Sequence, residues 1–178
     1  MNFLRSSIKL LLYATALTPL VVITFLPFPY NFSKAWFFRV VIETAFILFL
    51  IYLLGHQYLS TFNQRQSAFP YQRLSAFLKH PLTIALGLFF ASLAISTIFA
   101  HNPYYAFWGN VERGEGLYGL LHYFVFLMMI VCLFDTKDWI RFFKLSVVTG
   151  LAALGYALLQ YLFFYEKFQG IPVLVPRG

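Results

Sequence analysis

Three charged residues and three glycines fall within ten residues of an otherwise apolar chain, in the segment Phe-Trp-Gly-Asn-Val-Glu-Arg-Gly-Glu-Gly at 107–116. Glycine permits tight backbone turns and lets a ligand approach the main chain. The guanidinium of Arg113 can bind phosphate oxygens in pairs. An apolar helix predicted from Leu117 would direct its first-turn amides to the same place. The segment therefore predicts recognition of a lipid-linked phosphate or diphosphate.

The same residue types also allow a purely structural interpretation of this segment. Glu112 and Glu115 could pair with Arg113 and stabilise the start of the following helix, because acids are favourable near a helix N-terminus. Trp108 could anchor the chain at the headgroup level, as tryptophan commonly does. Its indole face could equally stack on a sugar ring. The spacing alone leaves both interpretations open.

Three further polar residues are candidates for supporting roles. His122 lies seven residues after Glu115, hence on nearly the same helix face, and an imidazole within a membrane needs a partner from Glu115 through water or from another helix. Arg39 and Glu43 are four residues apart and can pair within one helix. They could instead orient the segment 107–116 across the bundle. Structural packing of His122 and internal pairing of Arg39 with Glu43 are the alternatives.

The elements that must position these residues are predicted to be membrane-spanning helices. The composition is 61% hydrophobic and only 11% charged, with 23 phenylalanines, which exceeds what a water-soluble core can hide. A hydrocarbon core of roughly 30 Å takes about 20 helical residues, and nothing alternates as barrel strands do. We expect an all-α, polytopic bundle forming a single transmembrane domain over 1–178. Its five spans are predicted at about 8–26, 35–54, 82–100, 117–134 and 142–164.

The distribution of basic residues predicts a cytoplasmic amino terminus. Lysines and arginines precede the first span, occupy the connection between the second and third, and flank the link into the fifth: Arg5, Lys9, Arg65, Arg73, Lys79, Lys137, Arg141 and Lys144. All three groups would share one side of the membrane. The first apolar run is about as long as a full span, so we interpret it as an uncleaved anchor rather than a signal peptide.

Other classes of function are disfavoured. The net charge of +7 is scattered over connections rather than clustered on a soluble face, which argues against nucleic acid and fits anionic headgroups. The four histidines show no close ligand spacing, so we expect no metal site. No motif for a soluble cofactor is present. The single cysteine, Cys132, falls within the fourth predicted span and is expected to pack as a small hydrophobic residue.

Several of these residues together resemble the O-antigen ligase-like (O-antigen ligase/polymerase) family of bacterial membrane glycosyltransferases. The resemblance is densest from Ser96 to Phe126. It is carried by Ser-Thr-Ile-Phe-Ala-His-Asn-Pro at 96–103, Phe-Trp-Gly at 107–109, Glu-Arg-Gly-Glu-Gly-Leu at 112–117 and His-Tyr at 122–123. It implies a multi-pass protein of the bacterial inner (cytoplasmic) membrane. The activity implied is metal-independent transfer of a glycan from a polyprenyl diphosphate carrier to a lipid-linked acceptor, such as a lipid A core sugar, at the periplasmic face.

The resemblance also implies roles for individual residues. Arg113 would contact the diphosphate and stabilise charge on the leaving group. Glu115 would hold Arg113 or the loop, while Asn110 and Trp108 would contact sugar or carrier. No catalytic residue is assigned, because the general base would lie in the second half that family members carry.

Family members have about a dozen spans, so the resemblance implies that this chain is the amino-terminal portion of a longer protein, inactive by itself. The terminal Leu-Val-Pro-Arg-Gly at 174–178 also resembles a thrombin-cleavage linker. Two alternatives stay open: a non-catalytic membrane scaffold or transporter half, and, among enzymes, a polymerase of carrier-linked repeats.

Overall fold

The structure is a computed structural model that describes residues 2–22, 31–62, 69–110 and 116–168, and side chains within 3–22, 31–56, 72–110 and 116–162. Every regular element in these ranges is a helix, which confirms the predicted all-α class. The α-helices are α1 (Asn2–Ala14), α2 (Asn31–Phe62), α3 (Phe69–Lys79), α4 (Pro81–Ile98), α5 (Pro103–Trp108), α6 (Leu117–Leu133) and α7 (Thr136–Phe168).

Three of the helices are long and apolar enough to cross a membrane. They are the Asn31–His56 part of α2, the whole of α4, and the Thr136–Leu162 part of α7. Helix α6 is also apolar but has 17 residues, slightly fewer than the roughly 20 that a hydrocarbon core requires. These lengths are compatible with a membrane protein, whereas the count of five spans stays a prediction.

The first predicted span differs most from the structure. A single helix is expected over 8–26, but α1 ends at Ala14 and a 3₁₀ helix follows over Thr15–Leu20. Pro19 lies inside that 3₁₀ helix and explains the change, because a proline cannot donate an amide hydrogen and its ring clashes with the carbonyl four residues earlier in an α-helix. The hydroxyl of Thr15 donates to the Leu12 carbonyl at 2.7 Å. Residues 23–30 lie outside the described part of the chain.

Proline also marks two helix starts. Pro81 occupies the first turn of α4, directly before the start at about 82 that was predicted for the third span, and the His80 ring accepts from the Leu82 amide. Pro103 has the same place in α5, where Asn102 accepts from the Tyr105 amide at 3.3 Å. The Asn-Pro pair, which follows the third predicted span, therefore begins a separate short helix.

The core lies where α1, α2 and α6 meet. Its largest fully buried side chains include Ile8 and Leu12 of α1, Ile42 and Phe49 of α2, and Met129 of α6. Cys132 is also fully buried in this cluster, in line with the packing role expected of it. Helices α4 and α7 bury much less of their surface, since only 6% of the apolar stretch of each helix is buried.

A charge network joins α1, α3 and the start of α7 at one end of the bundle. The carboxylate of Asp135 lies 3.1 Å from Arg5, 3.4 Å from Lys9 and 2.9 Å from Arg73. Asp138 bonds Lys9, accepts from the Tyr13 hydroxyl at 3.0 Å and accepts from the Asp135 amide at 3.1 Å. Asp138 is the third residue of α7, and an acid at this position commonly accepts from the amide of the residue before the helix.

The network brings together Arg5, Lys9 and Arg73, which belong to two of the three predicted basic groups, and the third group begins at Lys137, between the two acids in the sequence. Burial raises the pKa of the Asp135 carboxyl, but the hydrogen bonds from Arg73 and Lys9 and the charges of Lys9 and Arg5 outweigh burial and hold that pKa below its ordinary value. The carboxylate is therefore ionised at neutral pH. That this end faces the cytoplasm stays a prediction.

Candidate functional site

Tyr118, in the first turn of α6, is the centre of a cluster drawn from three helices. Its hydroxyl donates to Oε1 of Glu43 on α2. Its ring lies 4.9 Å from the Trp108 ring of α5 and 4.5 Å from the His122 ring, measured between centroids. The Arg39 guanidinium carbon lies 5.2 Å from the Tyr118 centroid, within the range of a cation–π interaction. We call these five residues the Tyr118 cluster.

The contact between Glu43 and His122 ties α2 to α6. Nε2 of His122 lies 3.0 Å from Glu43 Oε1, and Nδ1 lies 2.7 Å from the Tyr118 carbonyl oxygen. A carbonyl can only accept, so Nδ1 donates to it. The contact at Nε2 then requires one further proton, carried by the imidazole or by the carboxyl group. His122 is 8% exposed, whereas the Glu43 side chain is about half exposed.

These contacts give each of two supporting residues a partner on another helix. The sequence offered Glu115 or another helix as the partner of His122, and the structure supplies Glu43 from another helix. Glu43 makes its hydrogen bonds across to α6, to Tyr118 and His122, rather than serving only an internal pair with Arg39. Both Glu43 contacts use the same oxygen, Oε1.

Two glycines hold the ends of the charged segment together. Gly109 ends α5 with a φ of 77°, a conformation that side-chain-bearing residues rarely adopt, and its amide donates to the Tyr105 carbonyl at 2.8 Å. Gly116 is buried against the α5 backbone, where an added Cβ would lie 2.2 Å from the Phe107 carbonyl oxygen and 2.3 Å from the Gly109 nitrogen. Residues on either side of 111–115 therefore meet next to Trp108 and Tyr118.

The candidate residues divide between described and undescribed positions. Trp108, His122, Arg39 and Glu43 come together as members of the Tyr118 cluster, and Asn110 is an exposed neighbour of Gly109. Glu112, Arg113 and Glu115 lie outside the described residues, so their predicted contacts are untested. Tyr118 itself was missed, although its position four residues before His122 places the two on one helix face.

We expect the Glu43–His122 contact to be energetically coupled. Glu43→Ala removes the only carboxylate that the described residues place at Nε2 and leaves a buried ring nitrogen without its partner, which should cost about 1–3 kcal/mol of unfolding free energy. Glu43→Gln keeps an acceptor oxygen and should cost less. A double-mutant cycle with His122→Ala, measured by unfolding in detergent micelles, checks the coupling. Additive losses would show that the contact contributes nothing.

Within the described residues, no group of three or more histidine, cysteine or acidic side chains is close enough to hold a metal ion. The arrangement offers instead an aromatic surface, an arginine above a tyrosine ring and an imidazole–carboxylate pair. Comparison with protein-family models, with curated proteins and with solved structures gave no match for this chain.

Proposed function

We propose that this chain is the lipid-carrier-binding portion of a bacterial inner-membrane glycosyltransferase of the O-antigen ligase-like type. In this proposal the protein binds a glycan on a polyprenyl diphosphate at the end of the bundle where the Tyr118 cluster lies. A lipid-linked sugar, such as a lipid A core sugar, is the acceptor. The resemblance of residues 96–126 to that family is the source of the proposed reaction.

The observation that supports the site is the convergence of residues from distant parts of the sequence. Arg39 and Glu43, Trp108, and His122 lie in three separate segments, and all four contact Tyr118 or its partners. The ends of the segment that carries Arg113 meet at the same place. Polar residues within apolar helices are costly, so their convergence beside a glycine-rich segment favours a functional site.

Each group has a chemical task in the proposed complex. Arg113 binds the diphosphate and stabilises charge that develops as the glycosidic carbon–oxygen bond to the carrier breaks. Glu115 and Glu112 hold the arginine, and Trp108 offers its indole face to a sugar ring. Asn110 bonds sugar hydroxyls. Glu43 and His122 position Tyr118, on which Trp108 packs. Among the described residues, Gly116 is the N-cap of α6 and no side-chain hydrogen bond caps the helix there.

The test is the binding of undecaprenyl diphosphate to the purified chain in lipid nanodiscs. Arg113→Lys keeps the charge but loses the paired contacts, so we expect about a tenfold weaker affinity, which corresponds to roughly 1.4 kcal/mol. Arg141→Lys makes the same change at an exposed arginine of α7, next to Tyr13 of the charge network at the other end, and should leave the affinity unchanged.

Equal binding by wild type and Arg113→Lys would contradict the proposal. If the chain is instead a scaffold or transporter half, even Arg113→Ala should leave binding of the carrier unchanged. A ligase and a polymerase share the carrier site and differ in the acceptor, so supplying the intact parent protein with lipid A core or with a second carrier-linked repeat separates them.

A further inference from the structure

Three aromatic rings follow one another from α5 to the Tyr118 cluster. The centroid of the Tyr104 ring lies 6.4 Å from that of Trp108, and the Trp108 centroid lies 4.9 Å from that of Tyr118. Tyr104 and Trp108 are four residues apart, which places both rings on one face of α5. Tyr104 is 68% exposed and Trp108 is 44% exposed, so both rings can meet a ligand. We call Tyr104 and Trp108 the α5 ring pair.

The backbone of α5 is held at both ends, which keeps the α5 ring pair in place. At the start of the helix, the Asn102 side chain accepts from the Tyr105 amide. At its end, Gly109 donates to the Tyr105 carbonyl, and Gly116 packs against the same backbone without room for a Cβ. Rings that are already ordered lose little conformational entropy when a ligand binds. An interfacial anchor needs exposed rings but does not need rings that are held in this way.

The geometry of the α5 ring pair suits two sugar rings. The face of an aromatic ring is electronegative, and the carbon-bound hydrogens on one face of a pyranose carry partial positive charge, so the two faces attract each other. The planes of the Tyr104 and Trp108 rings are inclined by 51°. A single flat ligand cannot lie against both rings, whereas two sugars joined by a glycosidic linkage can lie one on each.

We propose that the α5 ring pair binds two successive sugar units of a glycan, the first on Trp108 and the next on Tyr104. The order follows from the fold, because Trp108 packs on Tyr118 beside the ends of the segment that carries Arg113, and Tyr104 lies one turn earlier in α5. The choice of a glycan as ligand rests on the proposed function, in which a glycan is attached to the diphosphate. A second contact at Tyr104 lets the site distinguish a glycan from a single sugar.

The experiment measures how the affinity of the full chain in lipid nanodiscs depends on the length of the glycan. The carrier-linked probes are undecaprenyl diphosphate with one N-acetylglucosamine and undecaprenyl diphosphate with a linear trisaccharide of N-acetylglucosamine. The bare carrier and the free trisaccharide are measured beside them. We expect wild type to bind the trisaccharide form about fivefold more tightly than the one-sugar form, because the longer glycan reaches the second ring.

Three variants locate the second sugar. Tyr104→Ala removes the ring, so it should bind the two carrier-linked glycans equally and the free trisaccharide about fivefold more weakly than wild type does. Tyr104→Phe keeps the ring and should keep the preference for the longer glycan. Tyr105→Ala is the matched control, because Tyr105 is the next residue and is similarly exposed but lies on a different face of α5. It should also keep the wild-type preference.

The proposal is wrong if wild type binds both carrier-linked glycans with equal affinity, or if Tyr104→Ala keeps the preference for the longer one. Tyr104 would then be an interfacial anchor only. An equal loss of preference in Tyr105→Ala would also contradict the proposal, because stacking depends on the face of α5.

Arg113→Lys separates this proposal from the proposed function. If the proposed function is wrong, Arg113→Lys binds the bare carrier as wild type does, and the free trisaccharide still measures the contribution of Tyr104. If Arg113→Lys weakens binding of the bare carrier but wild type shows no preference for the longer glycan, only the proposal for the α5 ring pair fails.

Discussion

Gly116→Ala is expected to destabilise the protein by about 3 kcal/mol or more and to abolish binding at the Tyr118 cluster. The added Cβ would lie 2.2 Å from the Phe107 carbonyl oxygen, 2.3 Å from the Gly109 nitrogen and 2.5 Å from the Trp108 carbonyl carbon. All three are backbone atoms of α5 or its end, so no side-chain rotation can relieve the contacts. Either α5 or the first turn of α6 must move.

The chain supplies matched controls for this substitution. Gly87 in α4 and Gly150 in α7 have nothing within 4 Å of an added Cβ. Alanine has the higher helix propensity, by up to about 1 kcal/mol, so Gly87→Ala and Gly150→Ala should leave stability unchanged or raise it slightly. Unfolding in detergent micelles compares the three variants. Equal effects at 87, 116 and 150 would mean that the close packing of α5 on α6 contributes nothing to stability.

The helical class was predictable because composition and apolar run length leave few alternatives. The starts of α4 and α6 were also predictable, since Pro81 and the glycines before Leu117 mark them locally. The 3₁₀ helix over Thr15–Leu20 was missed, although Pro19 in mid-run was its signal. The extension of α2 to Phe62 was missed because the second span was predicted to end at about residue 54, where the apolar run gives way to polar residues.

The candidate site was predictable residue by residue but not as an assembly. Sequence patterns single out His122 and Glu43 because polar groups in apolar helices need partners. Which residues pair depends on how α2 packs on α6, and that packing involves contacts 75 and 79 residues apart in the chain. Tyr118 was overlooked because a tyrosine at the end of a span is ordinarily an interfacial anchor. Its role emerges only from the neighbours that it contacts.

The partners in the charge network at the other end could not be predicted from the sequence either. The position of Asp135 before the fifth predicted span is visible in the sequence, but the cations that contact Asp135 and Asp138 come from α1 and α3. Among the described residues, Asp135 contacts three cations and Asp138 contacts one. A count of ion pairs would therefore rank Asp135 as the more important residue. Burial ranks Asp138 as the more important residue, because water screens an exposed ion pair but does not screen a buried one.

We expect Asp138→Ala to cost about 3 kcal/mol of unfolding free energy, the loss typical of breaking a buried ion pair, and Asp135→Ala to cost about 1 kcal/mol, as for an exposed pair. The Asp138 and Lys9 side chains are 11% and 18% exposed, whereas that of Asp135 is 46% exposed. Asp138→Ala also removes the acceptors of the Tyr13 hydroxyl and the Asp135 amide.

Unfolding of the variants in detergent micelles measures which of the two substitutions costs more unfolding free energy. Asp138→Asn keeps an acceptor oxygen but not the charge, so its cost should fall between those of wild type and Asp138→Ala. Lys137→Ala changes an exposed neighbour between the two acids and should stay within about 0.5 kcal/mol of wild type. If Asp135→Ala proved as costly as Asp138→Ala, the number of cations rather than the burial of the pair would determine how strongly this network holds α1 against α7.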